Sequence, residues 1–200
     1  MDKEVLMTNT IGNNITKVSL VLWAICGVIV GAALMVSHWV PLPHPSEDDG
    51  VLRAALQEQG NSGDSWTLTH FLYTECPCSL RIMDHVLARG RVDYVSERFV
   101  LIGDSMPSGL AEGFVYQVVE PDELLDRYGI ESAPLFTVTD TDGAVRYVGG
   151  YTARKQGLDV SDLAIVQKLQ NGKHVEPLPV YGCAVSTRLK DIVDPLRIKG

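Results

Sequence analysis

The chain has little cysteine and little positive charge, and each shortage excludes something. Four cysteines among 200 residues are too few to staple a protein of this length as a disulfide scaffold. Acidic residues number 25 against 17 basic ones, for a formal net charge of −8. No basic stripe interrupts that excess, which argues against nucleic acid as a partner. There are no internal repeats and no low-complexity tract. The sharpest local shortage is of charge itself: Val18–Val40 contains no Asp, Glu, Lys or Arg.

That uncharged run is long enough to cross a bilayer, which takes ~20 apolar residues. The competing reading is a cleaved signal peptide, whose apolar core usually spans ~7–15 residues. Here the run is longer and lacks a convincing small-residue cleavage site, so residues 18–40 are expected to be a retained transmembrane anchor. Gly27 and Gly31 form a small-xxx-small pair of the kind that lets helices approach, though a Gly-rich span produces such pairs by chance. Lys17 flanks one end, and Glu47, Asp48 and Asp49 follow the other. Positive-inside bias then puts the N-terminus in the cytoplasm. Trp23 and Trp39 suit the membrane interfaces. Residues 1–17 are polar, without periodicity, and read as a frayed tail. Asn14-Ile15-Thr16 matches a glycosylation triplet, a pattern common by chance.

After the anchor, Pro41-Leu42-Pro43-His44-Pro45 reads as a stiff spacer. Val51–Gln59 has a short helical pattern and Gly60–Ser65 is a break. Residues 41–65 are therefore expected to be a linker, with folded structure starting near Trp66.

The informative stretch is Thr67–Arg89. Its first half, with Leu68, Phe71, Leu72 and Tyr73, reads as a buried strand. In its second half Leu80, Met83 and Leu87 recur at helical spacing, widened by Ile82 and Val86. Cys76-Pro77-Cys78 sits at the junction, where a helix N-terminus favours a thiolate. Pro77 suits the first helical turn, which needs no N–H there. Since Cys26 lies in the apolar run, Cys76, Cys78 and Cys183 are the cysteines open to chemistry.

Further on, Val92–Gly103 reads as strand, with the charged pair Glu97-Arg98 as a possible interruption, and Phe114–Val119 as another short strand. Pro121–Tyr128 is a helix opened by Pro121 and closed by Gly129. Leu135–Thr139 and Ala144–Val148 flank Asp142-Gly143, a strong hairpin signal. Ser161–Leu169 is helical. Residues 171–200 form a C-terminal extension holding Tyr181-Gly182-Cys183 and a short helix over Thr187–Val193.

The order strand, cysteine turn, helix, strand, helix, strand, hairpin strand, helix resembles the thioredoxin superfamily over roughly residues 66–170. So does Leu125–Val138, which reads Leu-Asp-Arg-Tyr-Gly-Ile-Glu-Ser-Ala-Pro-Leu-Phe-Thr-Val. The resemblance implies an α/β fold, a thioredoxin-like mixed sheet flanked by helices, with a single N-terminal transmembrane helix. It implies that Pro134 is cis and packs beside the cysteines; Pro tolerates the cis form far better than other residues. The anchor-plus-domain layout is similar to membrane-tethered thioredoxin-like proteins of bacterial envelopes. That similarity implies a single-pass protein of the bacterial inner membrane with its domain in the periplasm.

Two departures from that family stand out. Cys76 and Cys78 are spaced Cys-x-Cys rather than Cys-x-x-Cys, and Glu75 precedes them. Either Cys76 holds the nucleophile position, or Cys78 is the resolving thiol and Glu75 displaces the first cysteine. The first register is preferred here: Cys76 as a nucleophile of depressed pKa, resolved by Cys78. In that register His70 falls where thioredoxins hold a buried acid beneath the cysteines, and it could accept a proton. The competing reading is a strand histidine satisfied by backbone. His85, two turns beyond Cys78, reads as a surface or partly buried helix residue.

The expected activity is thiol–disulfide exchange on cysteines of envelope proteins through Cys76, Cys78 and Pro134, without a cofactor. His70 and Cys183 are possible auxiliaries, Cys183 by packing near the pair or simply as a small buried hydrophobe. Three alternatives stand beside it. Thiolates suit Cu(I), so Cys76 and Cys78 could serve a copper-binding module. Cys76-Pro77 resembles the Cys-Pro of peroxiredoxins, but their Pro-x-x-x-Thr-x-x-Cys lead-in is missing. The chain could also be a non-catalytic subunit of a membrane complex.

Overall fold

A computed structural model describes residues 16–32, 41–60, 65–104, 106–107, 110–155, 157 and 159–194. The chain divides into two compact units, Met1–Val40 and Pro41–Gly200.

In the first unit, residues 16–32 form helix α1, whose side chains are all exposed. Large apolar residues are among them, with Trp23 77% and Val28 72% exposed. Among the described residues no helix is long and apolar enough to cross a membrane. The expected anchor is therefore seen as helix only over residues 18–32; its remaining positions, 33–40, lie outside the described residues, as does most of the expected tail.

The second unit is a five-stranded mixed sheet flanked by helices. Its elements are α2 (Gly50–Glu58), β1 (Thr67–Tyr73), α3 (Pro77–Arg89), β2 (Ser96–Ile102), β3 (Val115–Val119), α4 (Pro121–Tyr128), β4 (Ser132–Ala133), β5 (Leu135–Thr139), β6 (Val145–Gly149), α5 (Asp162–Gln170), β7 (Cys183–Ala184) and α6 (Thr187–Val193). The strand order is β3-β2-β1-β5-β6. Strands β1, β2 and β3 run parallel, while β5 and β6 are antiparallel additions. This order is compatible with a thioredoxin-like arrangement.

Central β1 is buried at all seven positions, as expected of a strand covered on both faces. Alternation along it sends successive side chains to opposite faces. Phe71 and Tyr73 join a core with Leu52, Leu56, Leu124 and Tyr128 from α2 and α4. Leu68 and Leu72 join the other core, with Ile82 and Val86 from α3 and Ile165 and Val166 from α5. Burying one such Leu or Phe contributes about 1.5–3 kcal/mol. Phe71 and Tyr128 meet edge to face, centroids 5.2 Å apart.

Local chemistry sets the element ends. Asp49 caps α2 by accepting from the Val51 and Leu52 amides at 2.9 and 3.0 Å. Pro77 and Pro121 open α3 and α4 in the first turn. The β5–β6 hairpin turns at Gly143, φ 80°, with the Asp140 carboxylate accepting from the Asp142 and Ala144 amides.

Three findings differ from the sequence reading. Strand β2 runs unbroken through Glu97-Arg98, because Glu97 is neutralised where it is buried. Packing begins well before Trp66: the Leu42 amide donates to the Val180 carbonyl at 2.8 Å, and Leu52, Ala55 and Leu56 are buried. The C-terminal extension is likewise packed into the fold. The Gly150 amide donates to the Leu178 carbonyl, Val180 is fully buried, and β7 pairs with β4.

Candidate functional site: a disulfide with a neighbouring thiol

The site forms where β1 hands over to α3. The Cys76 amide donates to the Tyr73 carbonyl at 3.0 Å, closing a tight turn. Cys76 is the residue before the helix, in extended conformation, and Pro77 follows. The Ser79 hydroxyl accepts from the Tyr73 amide at 3.0 Å, fixing the turn from the helix side. This chain of local bonds presents the Cys76 sulfur to the end of the sheet.

There it meets the short strand before Pro134. The Ala133–Pro134 peptide is cis, and Cys76 Sγ lies 3.9 Å from the Ala133 carbonyl oxygen. The sequence-matched proline and Cys76 are therefore neighbours. Across β4 comes the C-terminal extension, Ala133 opposite Cys183 and Ser132 opposite Ala184. Cys76 is bonded to Cys183, across a sequence separation of 107 residues and a Cα–Cα distance of 6.0 Å. Cys78, the sequence neighbour expected to share a site with Cys76, is a free, half-buried thiol. Cys78 and Cys183 both pack against the core that contains Cys76. As a disulfide partner, Cys76 does not titrate in this state.

Gly182 makes the approach of β7 possible. A Cβ on it would lie 2.0 Å from the Ala133 oxygen and 2.5 Å from Pro134 Cδ. Glu131 fastens the far side. Its backbone carbonyl accepts from the Val185 amide at 2.7 Å. Its carboxylate accepts from Ser186 Oγ at 2.7 Å and Arg188 Nε at 2.9 Å, and pairs with Arg188 Nη2. The Arg188 hydrogen bond, against some desolvation, lowers the Glu131 pKa.

Tyr73 lies beside the turn. Burial, then its hydrogen bond to Glu75, pushes its hydroxyl up to about 12, so it stays protonated and donates to that carboxylate. The Lys190 ammonium sits 5.5 Å from its ring centroid.

His70 is placed elsewhere. Between Phe99 and Tyr151, its ring nitrogens face Tyr151 Oη at 2.8 Å and Glu97 Oε2 at 3.3 Å. Adjacent to Phe71 on β1, it points to the face opposite the cysteines. Arg89 completes the cluster, donating to both Glu97 oxygens at 3.0 and 2.6 Å and to Asp162 Oδ2 at 3.0 Å. Burial opposes ionisation of Glu97, but the hydrogen bonds from His70 and Arg89 outweigh it and bring the pKa to about 2.

Among the described residues no group of three or more His, Cys, Asp or Glu is arranged to hold a metal. His85 is exposed, and exposed His174 faces Glu176 at 3.2 Å. The role of Glu97 and Arg89 escaped the sequence reading, although a charged residue inside a strand is itself a signal that a partner must exist.

No protein-family profile matches the chain, and no curated protein matches it. Solved structures similar to the chain include two that share about a fifth of its residues. One is the hypothetical protein SMc02350 from Sinorhizobium meliloti 1021: TM-score 0.48, 21% identity, covering 62% of this chain and 80% of that one. The other is an uncharacterised conserved protein from Geobacillus kaustophilus: TM-score 0.43, 21% identity, covering 62% and 77%.

Proposed function

We propose that the protein is a membrane-anchored thiol–disulfide oxidoreductase with a thioredoxin-like domain, acting on cysteines of bacterial envelope proteins around Cys76. One observation carries this reading: the Cys76–Cys183 disulfide lies against the Ala133 carbonyl that precedes Pro134, with Cys78 a free thiol two residues along the chain. Val18–Val40, lacking charge, supports the anchor, and an anchored domain in an oxidising compartment is where such a disulfide persists.

The chemistry balances without a cofactor. A partner thiolate attacks one sulfur of the Cys76–Cys183 bond, forming a mixed disulfide and releasing the other cysteine as a thiolate. The partner's second thiol then breaks the mixed disulfide. The partner leaves as a disulfide, and Cys76 and Cys183 are left reduced; the reverse sequence reduces a partner. Full-length protein in detergent, mixed with a dithiol peptide, should form peptide disulfide stoichiometrically, and Cys76→Ser should abolish it. Equal oxidation by the Cys76→Ser protein overturns the reading.

A further inference from the structure

The site carries an occupant of its own: residues 180–186 of the C-terminal extension lie along β4, with Cys183 bonded to Cys76. Their register is pinned on both sides of the cysteine. Three residues before it, the carbonyl of buried Val180 accepts from the Leu42 amide at 2.8 Å. Two residues after it, the amide of buried Val185 donates to the Glu131 carbonyl at 2.7 Å. Between these, Cys183 stands opposite Ala133 and Ala184 opposite Ser132. In this register one position admits no side chain. A Cβ at Gly182 would lie 2.0 Å from the Ala133 carbonyl oxygen, 2.6 Å from its carbon and 2.5 Å from Pro134 Cδ. Two of these are backbone atoms and the third belongs to a ring, so none can swing aside as the end of a flexible side chain would. Cys76 is fully buried while bonded to Cys183, so a partner cysteine reaches its sulfur only where this segment gives way.

We propose, on the oxidoreductase reading above, that partner proteins bind by replacing this segment in the same register on β4, and that the site selects a partner cysteine directly preceded by glycine. The partner segment is extended, as pairing with β4 requires, and has an aliphatic residue two places after its cysteine, where Val185 is buried. The exchange balances. With Cys76 and Cys183 reduced, the Cys76 thiolate attacks the Gly-Cys sulfur of a partner disulfide. A Cys76–partner bond forms, the partner disulfide breaks, and its other cysteine leaves as a thiolate. Cys183 then gives its proton to solvent and attacks Cys76 Sγ. The Cys76–Cys183 bond re-forms and the partner's Gly-Cys leaves as a thiolate. The partner disulfide has gained two electrons and the Cys76–Cys183 pair has lost two.

The test uses full-length Cys183→Ser protein in detergent, which cannot close the internal bond and so retains what reaches Cys76. It receives two peptides with the sequence of residues 178–188, one natural and one carrying Gly182→Ala, each as its disulfide-linked homodimer and in equal amounts. They are supplied above the effective concentration of a short tether, on the order of millimolar, to compete with the chain's own segment. After acid quenching, peptide mapping should find the glycine peptide on Cys76 in about tenfold excess over the alanine peptide, the discrimination expected of an overpacked contact. The same protein in urea should show a ratio near one. A folded ratio equal to the ratio in urea overturns the inference and leaves the oxidoreductase reading standing, whereas no adduct of either peptide on Cys76 defeats both. A second measurement needs no variant. Reduced, desalted wild type should re-form Cys76–Cys183 faster with the glycine homodimer than with the alanine homodimer, and equal rates overturn the inference.

Discussion

The two faces of β1 solve the same problem in opposite ways. On one face, His70, Glu97, Arg89, Asp162 and Tyr151 bury ionisable groups and pair them with one another. On the other, an apolar core ends at a sulfur–sulfur bond, with a two-residue strand laid over it. The first face is closed by bonds that hold as long as the fold does. The second is closed by a bond that chemistry can open. His70 and Phe71 are consecutive residues, yet strand parity alone sends one to each face.

The largest effect should come from breaking the permanent face. Glu97→Ala leaves Arg89 and His70 buried without their shared carboxylate. Removing one partner of a buried pair costs about 3–5 kcal/mol. Chemical denaturation should find a loss of that size, with Glu97→Gln losing less because it keeps hydrogen-bonding atoms. A loss below about 1 kcal/mol would mean that the cluster is solvated like a surface pair.

The same residue predicts the acid limb of stability. Glu97 has a folded pKa of about 2, depressed below its ordinary 4.5. A depressed carboxyl contributes stability above its unfolded pKa and loses it as pH falls toward the folded value. At about 1.4 kcal/mol per pK unit, the contribution is on the order of 3 kcal/mol. It should fade between about pH 4.5 and 2 and be missing from the same curve for Glu97→Gln. The groups facing it are His70 and Arg89, with Asp162 behind Arg89. Parallel curves for the two proteins would show that another group controls acid unfolding.

Breaking the openable face should cost somewhat less. The disulfide closes a separation of 107 residues, and such bonds typically contribute about 2–4 kcal/mol by restricting the unfolded chain. Cys183→Ser and the reduced wild type should both lose that amount in denaturant melts. The Glu97 variants should keep their disulfide, and Cys183→Ser should keep the acid limb.

These expectations also mark what was legible in the sequence. Helix α4 and strand β5 lie at the residues their punctuation predicts, because Pro121, Gly129 and Asp142-Gly143 act locally. The mixed α/β architecture followed from their order. The proximity of Pro134 to Cys76 was legible only through resemblance. Cys183 near the pair was one of two readings the sequence offered; that it bonds Cys76 was not legible, since β4 and β7 are two residues each and carry no period. Their meeting depends on Leu42, Gly150 and Glu131 fixing the chain on either side. His70 was brought beneath the cysteines only by the resemblance; strand parity sends it to the other face, against Tyr151 and Glu97.

Gly182→Ala should have a smaller effect on stability and a clearer one on pairing. Its Cβ would meet Ala133 O at 2.0 Å and Pro134 Cδ at 2.5 Å, and backbone there has little room to retreat. Overpacking of this kind costs about 1–3 kcal/mol. The strain falls on β7 and not on the His70 cluster, so peptide mapping should find a smaller fraction of Cys76–Cys183 disulfide. Unchanged mapping would show that β7 can leave β4 without releasing Cys183.

The smallest effect concerns Arg188. Its guanidinium is mostly exposed, while Glu131, its partner, is 9% exposed at the side chain. Exposed charge pairs contribute little to stability, so Arg188→Ala should leave the denaturation midpoint almost where it was. Glu131 keeps the Ser186 hydroxyl at 2.7 Å and the Val185 amide, so the segment stays in place. What changes is how often it lifts. Without the guanidinium the Glu131 carboxyl rises toward its ordinary pKa, and the clasp downstream of Cys183 loses one of its partners. Reduction of Cys76–Cys183 by a small thiol should then speed up, by no more than about fivefold for an exposed pair. Salt should narrow the difference between variant and wild type, because screening weakens an exposed pair. The Glu97 cluster, being buried, should show no such salt dependence. Equal reduction rates at low salt would mean that Ser186 alone holds the segment, and the comparison between a permanent and an openable face would then rest on the disulfide by itself.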